Sequence, residues 1–534
     1  TGARVFTADP ARPWAEALVT RGNRISFVGP EDEARDRADR ETEHLHLSGA
    51  LLTPGFNESH VHLTMGSEVL HDLNLDGIST LSALQEQLRA QARAYPERAW
   101  ITGYGLSYTP LGHLGRAERL ALDEAVPDRP VFLRALDFHS AWCNTRALQL
   151  AGIAEGAALP LPNEVVLDAN GSATGMLKER QAYHLIERLW PEPTPAERDV
   201  LLAEAMRYLN GLGITSFQNM DGTPEQVAWF NRLHEEQRLT LRAHFYMSMR
   251  EHYPRERLRE FAELSRAQQG EWNLVRGIKM FIDGVVESKT ALMLDPYADG
   301  SGDTGIPDMD PQAHREIAIE ADRLGMDVAT HAIGDRGVRL TLDAYEAAAR
   351  ANPGRRHRRH RIEHIETIHP ADIPRFAQLG VTASMQPLHA VPNEDPRTSP
   401  WTTLVGPARL PWAFPWRLLT RSGAIVSFGS DWPVVTPDPR LGIHAALTRR
   451  TPLGEPAGGW RPDQCLTLAE TLHAYTQGGA YAESMEASKG ILREGTLADL
   501  TCFGHDLFAL SPHEILKTEV VLTVVDGQVV HRTR

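Results

Sequence analysis

Lysine is scarce in this chain of 534 residues: Lys178, Lys279, Lys289, Lys489 and Lys517 are five of 55 basic side chains, and arginine supplies the rest. A lysine inside an apolar strand is therefore not background composition. Cysteine is equally sparse. Cys143, Cys465 and Cys502 are odd in number and far apart, which excludes a disulfide framework and a cysteine-based zinc site. No apolar run approaches the roughly 18 residues of a membrane span, so no membrane partner is expected. The first thirty residues lack the basic, apolar, small-residue order of a signal peptide, which makes a cytoplasmic location the expectation. Positive charge is in deficit too, and a net charge of −15 argues against a nucleic-acid partner. The one basic run, "GRRHRRHRIEH" at 354–364, passes into a strand pattern without interleaved aromatics and reads as a solvated loop.

With 42% hydrophobic and 23% charged residues, the chain has the composition of a soluble globular protein, long enough for one large domain plus a smaller one. Short strands and turns occupy both ends: "ARVFTA", "EALVTRGNRISFVG" and "HLHLSGALL" at the start, "ADLTCFG" and "VVLTVVDGQVVHRT" at the finish. Asp526-Gly527 in the last of these is a hairpin signal. Neither end can bury a sheet alone, so residues 1–53 and 490–534 are expected to form one discontinuous β-sandwich domain. Between them, apolar strands alternate with helical stretches at 54–60, 213–220, 241–249, 276–284, 326–334, 361–366, 381–387 and 425–433. Eight such units are the count of a TIM-like (β/α)8 barrel, spanning 54–489 in an α/β fold. Residues 66–190 are too many for one crossover helix and read as an α/β insertion after the first barrel strand, placed to roof the pocket.

"TPGFNESHVHL" sets His60 and His62 one residue apart at a strand end, where side chains two apart share a face. Two neutral imidazoles facing one way suit a metal ion. Later strands each add a candidate near the C-terminal end: Lys279 and Asp283 in "IKMFIDG", His331 in "THAIGD", His364 in "RIEHIE", Asp431 in "FGSDWPV". Singly, a strand-end histidine reads as a hydrogen-bonded structural residue and the aspartate as a turn cap. Together they converge on the face where such barrels do chemistry. A buried lysine near cations has a lowered pKa, and its neutral amine can add CO2 to give a carbamate able to bridge two metal ions. The competing assignment for Lys279 is an ion pair with Asp283 or a nearby glutamate.

As an ordered set, these five motifs resemble the amidohydrolase superfamily, family 3, and within it the subgroup that includes N-substituted formamide deformylases. The resemblance covers nearly the whole chain, although "FNESHVH" departs from the aspartate that many relatives carry before the first histidine. It implies two divalent ions, most often zinc, with His60, His62 and Asp431 on one, His331 and His364 on the other, and carboxylated Lys279 bridging. It also implies a homodimer. The chemistry expected is hydrolysis of a C–N amide bond, other than a peptide bond, in a small molecule such as an N-substituted formamide or N-acyl amine, with Asp431 as general acid and base. His139, which resembles a His-x-x-x-Asn pattern of relatives ending here at Asn144, is a candidate substrate contact. So are Lys289, Gln386, His389 and Trp432. The alternatives are a mononuclear deaminase or cyclic-imide hydrolase of the same superfamily, disfavoured by "HAIGD", and a non-catalytic scaffold.

Overall fold

The β-branched and aromatic runs become eight parallel strands: β1 (Phe56–Val61), β2 (Ile214–Gly222), β3 (Arg242–Ser248), β4 (Asn273–Phe281), β5 (Asp327–Ala332), β6 (Arg361–His364), β7 (Thr382–Met385) and β8 (Val426–Phe428). Each pairs with its neighbour in chain order. Just past the ends of β8 and β1 the sheet meets itself. Val61 bridges to Trp432, the Asp431 N–H donates to the His60 carbonyl at 2.7 Å, and the His62 N–H donates to the Trp432 carbonyl at 2.9 Å. The barrel is thus nearly closed, and its seam runs through four of the candidate site residues, His60, His62, Asp431 and Trp432. In this computed structural model the described residues are 1–70, 72–112, 117–136, 138–190, 193–391 and 396–533.

Capping explains where the connecting helices start. Thr194 with Glu197 and Thr223 with Gln226 form capping boxes for helices Pro195–Gly211 and Pro224–Glu235, and Asp310 accepts two N–H groups at the head of Pro311–Arg323; each satisfies donors that a helix start leaves open. The strands are buried on both faces, as parallel strands covered by helices must be. Outward, Phe217 of β2 and Phe245 of β3 meet helix residue Phe230 at ring-centroid distances of 5.5 and 5.4 Å. Inward, the lumen is polar. Arg361, fully buried, donates to Glu363, to Gln218, to the Ser59 carbonyl at 2.6 Å and to the Ser384 hydroxyl at 2.6 Å. The "GRRHRRHRIEH" run feeds β6 as expected. Its Arg355 and Arg358 pair with Asp322, Arg355 also pairs with Asp327, and Arg359 pairs with Glu486.

Strands from the two chain ends interleave in one six-stranded sheet, in the order Trp14–Ala15, Arg4–Phe6, Leu51–Pro54, Leu500–Phe503, Val520–Val525, Gln528–Arg532. The hairpin Ala17–Arg21 and Arg24–Gly29 is a separate two-stranded sheet whose Ile25 and Val28 join that apolar cluster. Of "HLHLSGALL", only the last residues enter a strand. The segment after β1 carries another six-stranded sheet, from Leu73–Asn74 to Ala173–Lys178. No helix among the described residues is long and apolar enough to cross a membrane.

Arg242, at the start of β3, joins the barrel to the terminal sheet. Its guanidinium is fully buried and donates to Asp499 at 2.7 and 3.0 Å and to Asp526 at 2.7 Å. Removing one partner of a buried pair leaves an uncompensated charge. Asp499→Ala is therefore expected to lower unfolding stability by about 3–5 kcal/mol, read as a fall in the urea midpoint; a midpoint within error of the parent contradicts the role given to this pair.

Candidate metal centre

The strand ends bring His60, His62, Lys279, His331, His364 and Asp431 together on the wall of one cavity of about 580 Å3. His60, His62 and Asp431 form one set with all ligand atoms within 4.8 Å of one another. Asp431 Oδ1 lies 3.3 Å from His60 Nε2 and 3.2 Å from His62 Nε2, yet it is buried and aligned as a hydrogen-bond acceptor to neither. An unsatisfied buried carboxylate oxygen is costly, and a cation between these three atoms would satisfy it. Asp431 holds φ +65° and His364 φ +74°, uncommon for non-glycine residues and typical of functional sites.

Three of the imidazoles share a second feature: one nitrogen of each is occupied away from the cluster. His60 Nδ1 meets Glu363 Oε2 at 2.6 Å, His331 Nε2 meets the Gly284 carbonyl at 3.1 Å, and His364 Nδ1 meets Gln386 Oε1 at 2.9 Å. A ring nitrogen facing an acceptor carries the proton, which leaves the other lone pair bare for a metal. Burial first, then neighbouring cationic groups, hold His331 and His364 well below the usual histidine pKa, hence neutral. His62 is the exception. Burial works against its charge, but Asp221, 3.6 Å away, and Asp431 carry its pKa up to about 9; a metal ion there would compete with that proton.

Lys279 is fully buried on β4, with Nζ 3.5 Å from His60 Nε2 and 4.6 Å from the Phe281 ring centroid. It forms no ion pair among the described residues, and burial lowers its pKa to about 8. Asp283 is no partner for it. That carboxylate accepts the N–H groups of Leu292, Ile333 and Gly334 at 2.9–3.0 Å and so organises the loops after β4 and β5.

Other expected residues separate in the same way. Lys289, at φ +58°, donates to Asp299 at 3.0 Å and lies outside the cavity lining. Gln386 lines no part of the cavity and instead orients His364. His389 does line it, its ring parallel to that of His364 at 5.9 Å. With His364 and Asp431 it forms a second set of close ligand atoms, one that does not include the expected His331. Trp432 lines the cavity and packs on Gly66, where a Cβ would stand 2.3 Å from the indole. His139 lines it too, its Nδ1 2.9 Å from Glu179 and its ring 5.6 Å from that of His331. Asn144 is structural: its side chain caps helix Thr145–Ala151 and binds the Val126 and Arg129 carbonyls. Sequence reasoning missed Glu363 and Asp221. A charge inside the four-residue strand "RIEH", and an acidic end to β2 like that of other strands, were the available signals.

The sequence pattern of the amidohydrolase family matches residues 45–531. A putative amidohydrolase, YtcJ, of Bacillus subtilis is 28% identical over 99% of this chain and 98% of its own. The N-substituted formamide deformylase of Arthrobacter pascens is 27% identical over 98% and 96%. An uncharacterised metal-dependent hydrolase from Pyrococcus horikoshii superposes with a TM-score of 0.75, covering 96% of this chain and 98% of that one at 24% identity; at that identity the likeness concerns the fold.

If Glu363 sets the His60 lone pair, Glu363→Gln should weaken metal binding by about 10- to 100-fold while far-UV dichroism stays native. Competition with a chromogenic chelator measures this, and unchanged affinity would remove Glu363 from the centre.

Proposed function

We propose that this chain, which belongs to the amidohydrolase family, hydrolyses the C–N amide bond of a small molecule such as an N-substituted formamide or N-acyl amine. The observation that carries this reading is the buried Asp431 oxygen aimed, with the free nitrogens of His60 and His62, at a common point. Similarity to a formamide deformylase over nearly the whole of both chains supports the bond type.

The donor atoms of His60, His62 and Asp431 suit one divalent ion; a second is assigned to His331 and His364, each of which has its other nitrogen already occupied. Zinc is the expectation from imidazole and carboxylate donors. Once bound, such ions make water acidic enough to attack near neutral pH and polarise the substrate carbonyl. Lys279 would hold both ions: its amine, in no ion pair among the described residues, would add CO2, one N–C bond forming and one proton leaving, to become a carbamate with two ligand oxygens. Asp431 does the proton work. Burial opposes its charge, but His60 and His62 hold its carboxyl well below the usual range, so it is ionised and able to accept a proton from the attacking water and pass it to the leaving nitrogen. His139, held by Glu179, and His389 border the substrate space.

Lys279→Ala should lose most activity and at least one metal ion, and short carboxylic acids should restore part of both; an alanine variant fully active without additives would remove the bridge. Asp431→Asn keeps one oxygen for a metal but cannot accept a proton. Its kcat per bound metal pair should fall by about 10²–10⁴, with KM changed less. A ratio within a few-fold of the parent would make Asp431 a ligand only and send the proton through His139 or His389.

A further inference from the structure

A second cavity, of about 560 Å3, lies between helix Pro439–Thr448, the segment 450–462 and the short helix Pro512–Ile515 near the C-terminal end. It shares no lining residue with the catalytic cavity among the described residues, and its volume falls within the roughly 300–1,000 Å3 of small-molecule sites. Leu447, Pro462 and Pro512 give it apolar walls. Three nitrogen-bearing side chains reach it from three separate segments: His444, Arg450 and His513. In a protein of net charge −15 basic groups ordinarily find acids, yet none of these three is in an ion pair among the described residues.

The acids beside them in the chain do not neutralise them. Asp463 accepts from Arg461 at 2.5 Å and from Gln464 at 2.8 Å, Glu514 accepts from Ser511 at 2.7 and 2.8 Å, and Glu455 is exposed and in no ion pair among the described residues. His444 is 3% exposed; burial, then the charges of His513 and Arg450, lowers its pKa, as expected where basic groups gather without a counter-ion. The loop that carries Arg450 also walls the catalytic cavity. Its stem is closed by the Trp460 N–H donating to the Arg449 carbonyl at 2.8 Å and Arg449 Nε donating to the Trp460 carbonyl at 2.9 Å. The Arg449 guanidinium is buried 4.3 Å from the Trp416 ring centroid and 4.9 Å from that of Trp460. Beyond this fixed stem, Pro452 and Trp460 line the catalytic cavity while Arg450, Gly454 and Gly458 line the second one.

We propose that this second cavity is an effector site for a phosphate monoester carrying a small apolar group, held by His444, Arg450 and His513, and that its occupancy is transmitted to the catalytic cavity through the loop 450–459. Guanidinium meets two oxygens of a phosphate with its planar fork, and each imidazole offers an N–H. Donors approaching from three segments suit the three terminal oxygens of a tetrahedral ester better than a planar carboxylate. Leu447, Pro462 and Pro512 remain for the organic group. The site makes no use of the metal-ligand cluster, so it stands whatever bond the catalytic centre cleaves.

Cys465 lines this cavity, whereas Cys143 and Cys502 are buried, so protection of Cys465 from N-ethylmaleimide, followed by mass spectrometry, reports occupancy on the full chain. Phenyl phosphate is the probe, with inorganic phosphate as the anion alone and benzoate as a planar anion on the same ring. Phenyl phosphate should protect at the lowest concentration, and Arg450→Gln should weaken that protection by about 10- to 100-fold, as expected for losing a charge-assisted contact. Hydrogen exchange in the peptide spanning 450–460 should slow in the parent on adding phenyl phosphate and stay unchanged in Arg450→Gln. Absence of protection at millimolar phenyl phosphate, or protection that persists in Arg450→Gln as it would for an anion bound at the metal centre, overturns the site. Benzoate protecting as well as phenyl phosphate overturns the phosphate assignment, and protection without any change in exchange at 450–460 overturns the coupling.

Discussion

The buried Arg361 guanidinium is the contact on which both barrel and centre depend. From β6 it reaches the Ser59 carbonyl on β1, Gln218 on β2, Ser384 on β7 and Glu363 on its own strand. A charge in that position is tolerable only because every donor has a partner. Its counter-ion, Glu363, is held ionised against burial by Arg361 and His60, and the same carboxylate sets the proton on His60 Nδ1. One ion pair thus ties four strands together and fixes the orientation of the first metal-competent histidine. An apolar lumen would close the barrel equally well but could not orient an imidazole.

The same logic extends outward from that pair. Glu363, Gly284 and Gln386 each occupy one nitrogen of a different histidine, so three lone pairs turn toward a common space by means of three unrelated groups. Asp431 reaches that space because the barrel closes by backbone hydrogen bonds at His60 and Asp431 themselves. Closure of the fold and assembly of the centre are one event in this molecule. The segment after β1 leaves the barrel directly beyond His62 and contributes His139, Glu179 and Arg180 to the lining of the same cavity.

Much of this was legible in the residues. The eight strands could be placed because parallel barrel strands are short apolar runs between helix caps, and the histidines, Lys279 and Asp431 because a polar side chain ending such a run is conspicuous. Pairing of the chain ends followed from each having too few strands to bury a face. Lys289 and Gln386 lie outside the cavity lining; both sit in or beside βα loops, where the turn and not the residue type decides what a side chain meets.

The sequence by itself determined the eight-strand pattern and the ordered motifs, since periodicity and residue chemistry are local properties of the chain. Only the tertiary structure decided which nitrogen of His60, His331 and His364 is free and that Asp283 serves backbone amides and not Lys279. Those outcomes depend on groups tens to hundreds of residues apart in the chain, and no local pattern encodes the distance between them.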